Sequence, residues 1–188
     1  MIALRLARPA DALAIGAVHV AAWRSTYPGI LPDAYLAGMS VARHAAMYEA
    51  ALRAGTAIHL ATASGADLPD RRSPRVIGFA TAGPARGGAF GRRLGEGEIE
   101  TLYVLDDWHD RGVGRRLLRA AAAQLAAAGC RSAFLWVLRD NPSRWFYARL
   151  GGRPAADATI RVGGTAVVQT AFTWDPIEKL LEATARAS

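Results

Sequence analysis

The chain predicts a mixed α/β layer in which helices pack on a central sheet of about seven strands. Short apolar segments recur along it, alternating with polar residues in Ile2-Ala3-Leu4-Arg5-Leu6 and continuous in Ala133-Phe134-Leu135-Trp136-Val137-Leu138. These are the patterns of half-buried and fully buried strands. Between them lie runs of helix formers, most clearly the Ala/Leu/Arg stretch 113–128 closed by Gly129. The order is strand, two helices, three strands, helix, strand, helix and hairpin, without the regular strand-helix alternation of a doubly wound nucleotide fold.

Taken in order, the first strand runs to about Ala7, and Pro9-Ala10-Asp11 offers a turn and a helix N-cap. A helix follows over about 12–24. Pro28-Gly29 and Pro32-Asp33 punctuate the chain, and a second helix over about 41–53 ends at Gly55. Residues 56–63, 75–83 and 98–105 read as strands. The polar segment 64–74 and the Gly- and Arg-rich segment 84–95 read as mobile surface connections, too short to divide domains. Pro142 suits the first turn of a helix to about Leu150, capped by Gly151-Gly152. Residues 159–162 and 165–174 flank Gly163-Gly164, a pair suited to a tight hairpin turn.

Composition narrows the class. With 188 residues, 52% of them apolar, the chain reads as one domain over 1–188. A domain of that size buries roughly 70% of its unfolded surface, so its core needs no disulfide or metal. The single Cys130 has no internal partner, and no Cys/His cluster has metal-ligand spacing, so we expect a reducing compartment and no metal. Arg5, Arg8 and Asp11 interrupt the apolar start before a signal-peptide core forms. No apolar run approaches the roughly 20 residues of a membrane span. The expectation is a cytoplasmic protein without membrane partners, monomer or homodimer.

The net charge of +7 is segregated. Ten Arg and two Asp lie between 111 and 161, giving +8; the remaining residues sum to −1. Such a stretch suits a polyanionic partner such as nucleic acid or a phosphorylated cofactor. Since 22 of 23 basic residues are Arg, composition alone accounts for the excess but not for its segregation.

The chemistry concentrates in Gly97–Leu118, a strand, short loop and helix. Gly112 and Gly114 stand where the helix begins, so backbone N–H groups can approach an anion at the positive end of the helix dipole. Arg111, Arg115 and Arg116 add charge there. A dinucleotide fingerprint would require Gly where Leu117 stands, and a Walker A loop would require Gly-Lys-Ser/Thr, whereas the only Lys is Lys179.

The strand Glu98-Ile-Glu-Thr-Leu-Tyr-Val104, the loop His109-Asp-Arg-Gly-Val-Gly114, and Asn141-Pro-Ser-Arg-Trp-Phe-Tyr147 with Leu150-Gly151 resemble the GNAT superfamily of acyl-CoA-dependent N-acyltransferases. The resemblance is densest over 75–152. His109 stands where Gln or Arg is usual, Arg144 where Ala is usual, and Gly152 where Phe is usual; Asn141 and Tyr147 are one residue closer than in the commoner pattern. The resemblance implies acetyl-CoA as co-substrate, its diphosphate on the loop and helix start (His109, Asp110, Arg111, Gly112, Val113, Gly114, Arg115, Arg116). It also implies a pantetheine arm paired with the backbone of Leu102, Tyr103 and Val104 and held by Asn141 and Ser143. Such pairing satisfies free sheet-edge groups.

The same resemblance places Glu98 as a base for the acceptor ammonium and Tyr147 as a proton donor to the leaving thiolate. Trp23, Tyr27 and Tyr35 would line the acceptor side. Glu98 and Glu100, two apart on a strand, point to one face about 7 Å apart unless a bulge separates them, which makes Glu100 the reserve base. Without the resemblance, both are solvent-facing carboxylates, Tyr147 and the Trp/Tyr trio are core aromatics, Asn141 is a turn residue before Pro142, and His19, His44 and His59 are core or surface residues. The leading reading is an N-acetyltransferase that moves an acetyl group to a primary amine of a small molecule or peptide. Two other classes stay open, a catalytically silent acyl-CoA sensor and a basic nucleic-acid-binding module. The missing interleaving of aromatics with Arg111–Arg119 weighs against nucleic acid.

Overall fold

A computed structural model describes residues 1–65, 74–86 and 94–185. The two segments read as mobile connections lie largely outside the described residues. The chain forms β1 (Ile2–Leu6), a 3-10 turn (Pro9–Asp11), α1 (Ala12–Thr26), α2 (Asp33–Ala37), α3 (Val41–Arg53), β2 (Ile58–Ala63), β3 (Arg75–Pro84) and β4 (Gly97–Val104). A 3-10 turn (Asp106–Trp108), α4 (Val113–Ala127), β5 (Ala133–Leu138), α5 (Arg144–Arg149), β6 (Arg153–Val162), β7 (Thr165–Trp174) and α6 (Glu178–Ala185) follow. The strands make one seven-stranded sheet in the order β1-β2-β3-β4-β5-β7-β6. The mixed α/β class and strand number agree with the sequence reading.

Three elements differ from it. Five-residue α2 lies in the Pro/Gly-punctuated segment, too short to show a helical period. α6 buries Leu180 and Thr184 against α4, and its short apolar stripe gives little signal in isolation. β6 starts six residues before the predicted strand because Arg153–Asp157 pair with β7 despite Pro154, which sits on the edge strand of the sheet where a missing N–H is tolerated.

Helix α4 buries Val113, Leu117, Leu118, Ala121, Ala122 and Leu125, a face that repeats every three to four residues. It packs this face on β2, β3 and β4; each fully buried Leu contributes roughly 1.5–3 kcal/mol. A second cluster joins Ile15 and Val18 of α1 and Tyr48 of α3 to Ile58, Leu60 and Phe79 of the sheet. No helix among the described residues is long and apolar enough to cross a membrane.

Two features of β4 position the site. Its register against β3 slips between Thr81 and Ala82: Thr101 faces Thr81 and Ile99 faces Ala82, leaving Glu100 as the extra residue of a bulge. Its parallel pairing with β5 is confined to Gly97 with Ala133 and Glu98 with Phe134. Beyond these the strands part, so residues 99–104 of β4 have no ladder partner on the β5 side.

Candidate active site

Where β4 and β5 part, a cavity of about 210 Å³ opens. Its walls are Ala22, Trp23 and Thr26 of α1, Tyr27, Glu100–Val104 of β4, His109, Trp136–Leu138 of β5, Asn141 and Ser143, Tyr147 of α5, and Ile160, Val162 and Gln169 of the β6–β7 hairpin.

The structure divides the two carboxylates. Glu100, on the bulge, lines the cavity, whereas Glu98, the first choice as base on sequence grounds, is not among the lining residues. The bulge does not isolate them. The Arg86 guanidinium ion-pairs with Glu100 and stands 3.9 Å from Glu98, and the Thr81 hydroxyl donates to Glu100 at 3.3 Å. Burial raises the Glu98 carboxyl above its ordinary range, with Arg86 opposing.

Tyr147 is buried at the cavity wall. Burial raises its phenol, and the nearby Tyr27 adds to the shift. Asn141 is buried too: its Oδ1 accepts from the Ser143 backbone N–H at 2.8 Å, and its Nδ2 donates to the Tyr27 hydroxyl at 3.2 Å. It is thus both the turn residue before Pro142 and a cavity residue.

At the start of α4, Asp110 and Gly112 adopt positive φ, 56° and 71°. Gly112 takes this left-handed conformation without Cβ penalty, and Asp is one of few other residues that tolerate it. The turn delivers Val113, Gly114 and Arg115 into the first helical turn, whose N–H groups have no intrahelical acceptor. The Arg115 guanidinium lies beside Gly112, 3.8 Å from where a Cβ would stand.

Other expectations are redirected. Arg116 donates to the Ile2 carbonyl of β1 at 3.2 Å, which engages it away from the loop. Arg111 stacks over Trp108 at 4.9 Å. His109 donates through Nε2 to the Val104 carbonyl at 3.0 Å, so one oxygen expected to pair with a pantetheine arm already has a partner. Tyr35 lies outside the cavity lining and packs on the hairpin turn, where a Cβ at Gly163 would come within 2.6 Å of its ring; Trp23 and Tyr27 do line the cavity.

Sequence reasoning missed Trp136, Gln169, Ile160, Val162 and Arg86. Only Trp136 carried a signal, a Trp amid an otherwise aliphatic strand. It also set aside His19, which is buried with Nδ1 2.8 Å from the Tyr48 hydroxyl and its ring 4.3 Å from His44 and 4.8 Å from Tyr103. Burial, with His44 beside it, lowers His19 to about 3.

Residues 31–152 match the model of the Acetyltransferase (GNAT) family, which is more than half of the chain. The chain belongs to the GNAT acetyltransferase family. An uncharacterized N-acetyltransferase of Bacillus subtilis (strain 168), YuaI, is 28% identical over 180 residues, covering 96% of each chain. A GCN5-related N-acetyltransferase from Rhodopseudomonas palustris shares the fold with a TM-score of 0.68 at 23% identity, covering 92% of this chain and 94% of that one. The Salmonella typhimurium protein yncA, solved with its cofactor acetyl-CoA, aligns with a TM-score of 0.63 at 20% identity over 93% of each chain. The Thermoplasma acidophilum paia N-acetyltransferase, solved with coenzyme A, gives 0.61 at 17%, covering 90% of this chain and 98% of that one. As a GNAT acetyltransferase the chain is an acyltransferase enzyme, which sets aside the silent sensor. In this GNAT chain the Phe usual after the last motif is Gly152, and Trp174 fills the space: a Cβ at 152 would lie 2.7 Å from the Trp174 ring, whose Nε1 donates to the Leu150 carbonyl at 2.8 Å.

Proposed function

We propose that the chain transfers an acetyl group from acetyl-CoA to a primary amine of a small molecule or peptide by direct attack, with Glu100 as base and Tyr147 as acid. The observation that carries this reading is the placement of Glu100 and Tyr147 on the walls of one cavity at the divergence of β4 and β5. The free edge of β4 fits an amide-bearing arm as an added strand, and the Asp110–Arg115 turn fits a diphosphate, because successive N–H groups and a guanidinium converge there. Acetyl-CoA supplies the thioester and the thiol leaving group.

An alkylamine has a pKa near 10.4, so at neutral pH it arrives protonated and must lose a proton before it attacks. Glu100 takes that proton. The exposed Arg86 guanidinium, which occupies Glu100 beforehand, gives way to the incoming ammonium. Tyr147 holds its proton on Oη because burial disfavours the phenolate, and it delivers that proton to the departing thiolate.

Free-thiol release from acetyl-CoA across a panel of alkylamines, amino acids and peptides tests the reading. Glu100→Gln should lower turnover by roughly 10²- to 10⁴-fold, with Glu98→Gln much milder. Tyr147→Phe should lower turnover over a similar range with acetyl-CoA affinity little changed. A larger loss in Glu98→Gln than in Glu100→Gln would return the base role to Glu98. Near-normal turnover in all three variants would leave the protein a positioning role only.

A further inference from the structure

We infer that Tyr27 donates a hydrogen bond into the cavity during acetyl transfer and that Asn141 is the positioning residue that aims it. The inference rests on the acetyl-transfer reading above and adds a residue to it.

The Asn141 amide has one possible orientation. The Ser143 backbone N–H can only donate, so the Asn141 atom that faces it at 2.8 Å is the carbonyl oxygen. The atom facing Tyr27 Oη at 3.2 Å is therefore the NH2 group, and it donates. A phenol oxygen that accepts a bond keeps its own proton for a different acceptor. Tyr27 and Asn141 both line the cavity with Tyr147.

Tyr27 is held in place. It caps α1 with its N–H on the Trp23 carbonyl at 3.1 Å, its carbonyl accepts from Ile30 and Leu31, and its ring meets the Trp23 ring edge-on at 5.0 Å. It is 8% exposed, and burial keeps it protonated. A fixed neutral donor at the cavity wall stabilises negative charge that develops there without reorganising. Tyr27 acts electrostatically on both Tyr147 and Tyr103, whose phenols it helps to raise. Its proton stays on its own oxygen throughout: it neither forms nor breaks a bond, and it supports the negative charge that arises as the thioester is attacked and the sulfur leaves. Asn141 thus acts through Tyr27, a use of the residue distinct from gripping a cofactor arm.

Asn141→Asp is the decisive variant. It keeps an oxygen for the Ser143 N–H but replaces the NH2 by an acceptor, so the Tyr27 proton turns toward residue 141 and away from the cavity. We would measure kcat, KM for acetyl-CoA and Tm for wild type, Asn141→Asp, Tyr27→Phe and the double variant, using an amine that wild type acetylates. The expected result is a loss in kcat of roughly 10²- to 10³-fold in each single variant. KM for acetyl-CoA should stay within about twofold, and the double variant should match the worse single one because both changes act on one hydrogen bond. Full kcat in Asn141→Asp, multiplying losses in the double variant, or a loss confined to acetyl-CoA KM would each overturn the inference while leaving acetyl transfer intact. Absence of transfer to every amine by wild type would overturn the function itself, and this inference with it.

Discussion

Gly152 and His19 show what single positions decide in this chain. At Gly152 the missing Cβ admits the fully buried Trp174, and backbone closes the other side, with the Tyr147 carbonyl 2.9 Å from the Cβ position. Neither neighbour is a flexible chain end, so Gly152→Ala should destabilise by roughly 1–3 kcal/mol, the range of overpacked cores, and lower Tm accordingly. An unchanged Tm would mean that Trp174 shifts freely. His19 is a different case: it is held at about 3 against an ordinary 6.5, so the unfolded chain takes up a proton that the folded chain refuses. Its contribution is therefore complete above about pH 6.5 and is lost as pH falls toward 3, by up to about 1.4 kcal/mol per pH unit. The groups facing it are His44, Tyr48, Tyr103 and Trp23. Unfolding free energies from pH 7 to 4 should fall more steeply for wild type than for His19→Gln, and parallel curves would assign the acid sensitivity elsewhere.

At the scale of elements, the turn into α4 combines two left-handed residues with a helix start, and Gly114 follows on its first turn. A Cβ there would sit 3.6 Å from Phe146 and 3.9 Å from Val104, ordinary van der Waals distances, so the protein itself accommodates Ala. A ligand laid on the N–H groups between β4 and α5 would meet that methyl. At a hundredfold excess over Kd, acetyl-CoA should raise Tm of wild type by roughly 5–10 °C. Gly114→Ala should keep the ligand-free Tm while reducing the rise, and Gly114→Val should reduce it further. An equal rise in all three proteins would remove this turn from the binding site. The strand-loop-helix order here was legible from residues 97–118 alone, because the signals that set it, glycines at the turn and an apolar period of three to four residues, are local. The bulge at Glu100 was not legible, since a bulge exists only relative to the partner strand β3.

Across the whole molecule, much of the basic stretch seen in sequence is engaged in contacts of the fold. Of the ten Arg between 111 and 161, six are engaged on backbone carbonyls or Glu96: Arg116 at Ile2, Arg119 at Leu181, Arg131 at Glu96, Arg144 at Arg139, Arg153 at Asp175 and Arg161 at Gly164. Arg116, Arg119, Arg131 and Arg153 tie segments distant in the chain, so part of the basic stretch serves the fold while keeping its charge.

The family, the mixed sheet and the span of most elements are legible in the chain alone, because they rest on local periodicity, turn residues and short motifs at 98–104, 109–114 and 141–151. Which of these residues meet follows only from the folded arrangement. Tyr27 reaches Asn141 across 114 positions and His19 reaches Tyr48 across 29, and Glu100 rather than Glu98 faces the cavity because β4 bulges against β3 and leaves β5 after two paired residues. The reason is physical: strand register and the parting of strands are settled by packing between segments distant in sequence, and no window of the chain contains both sides of such a contact.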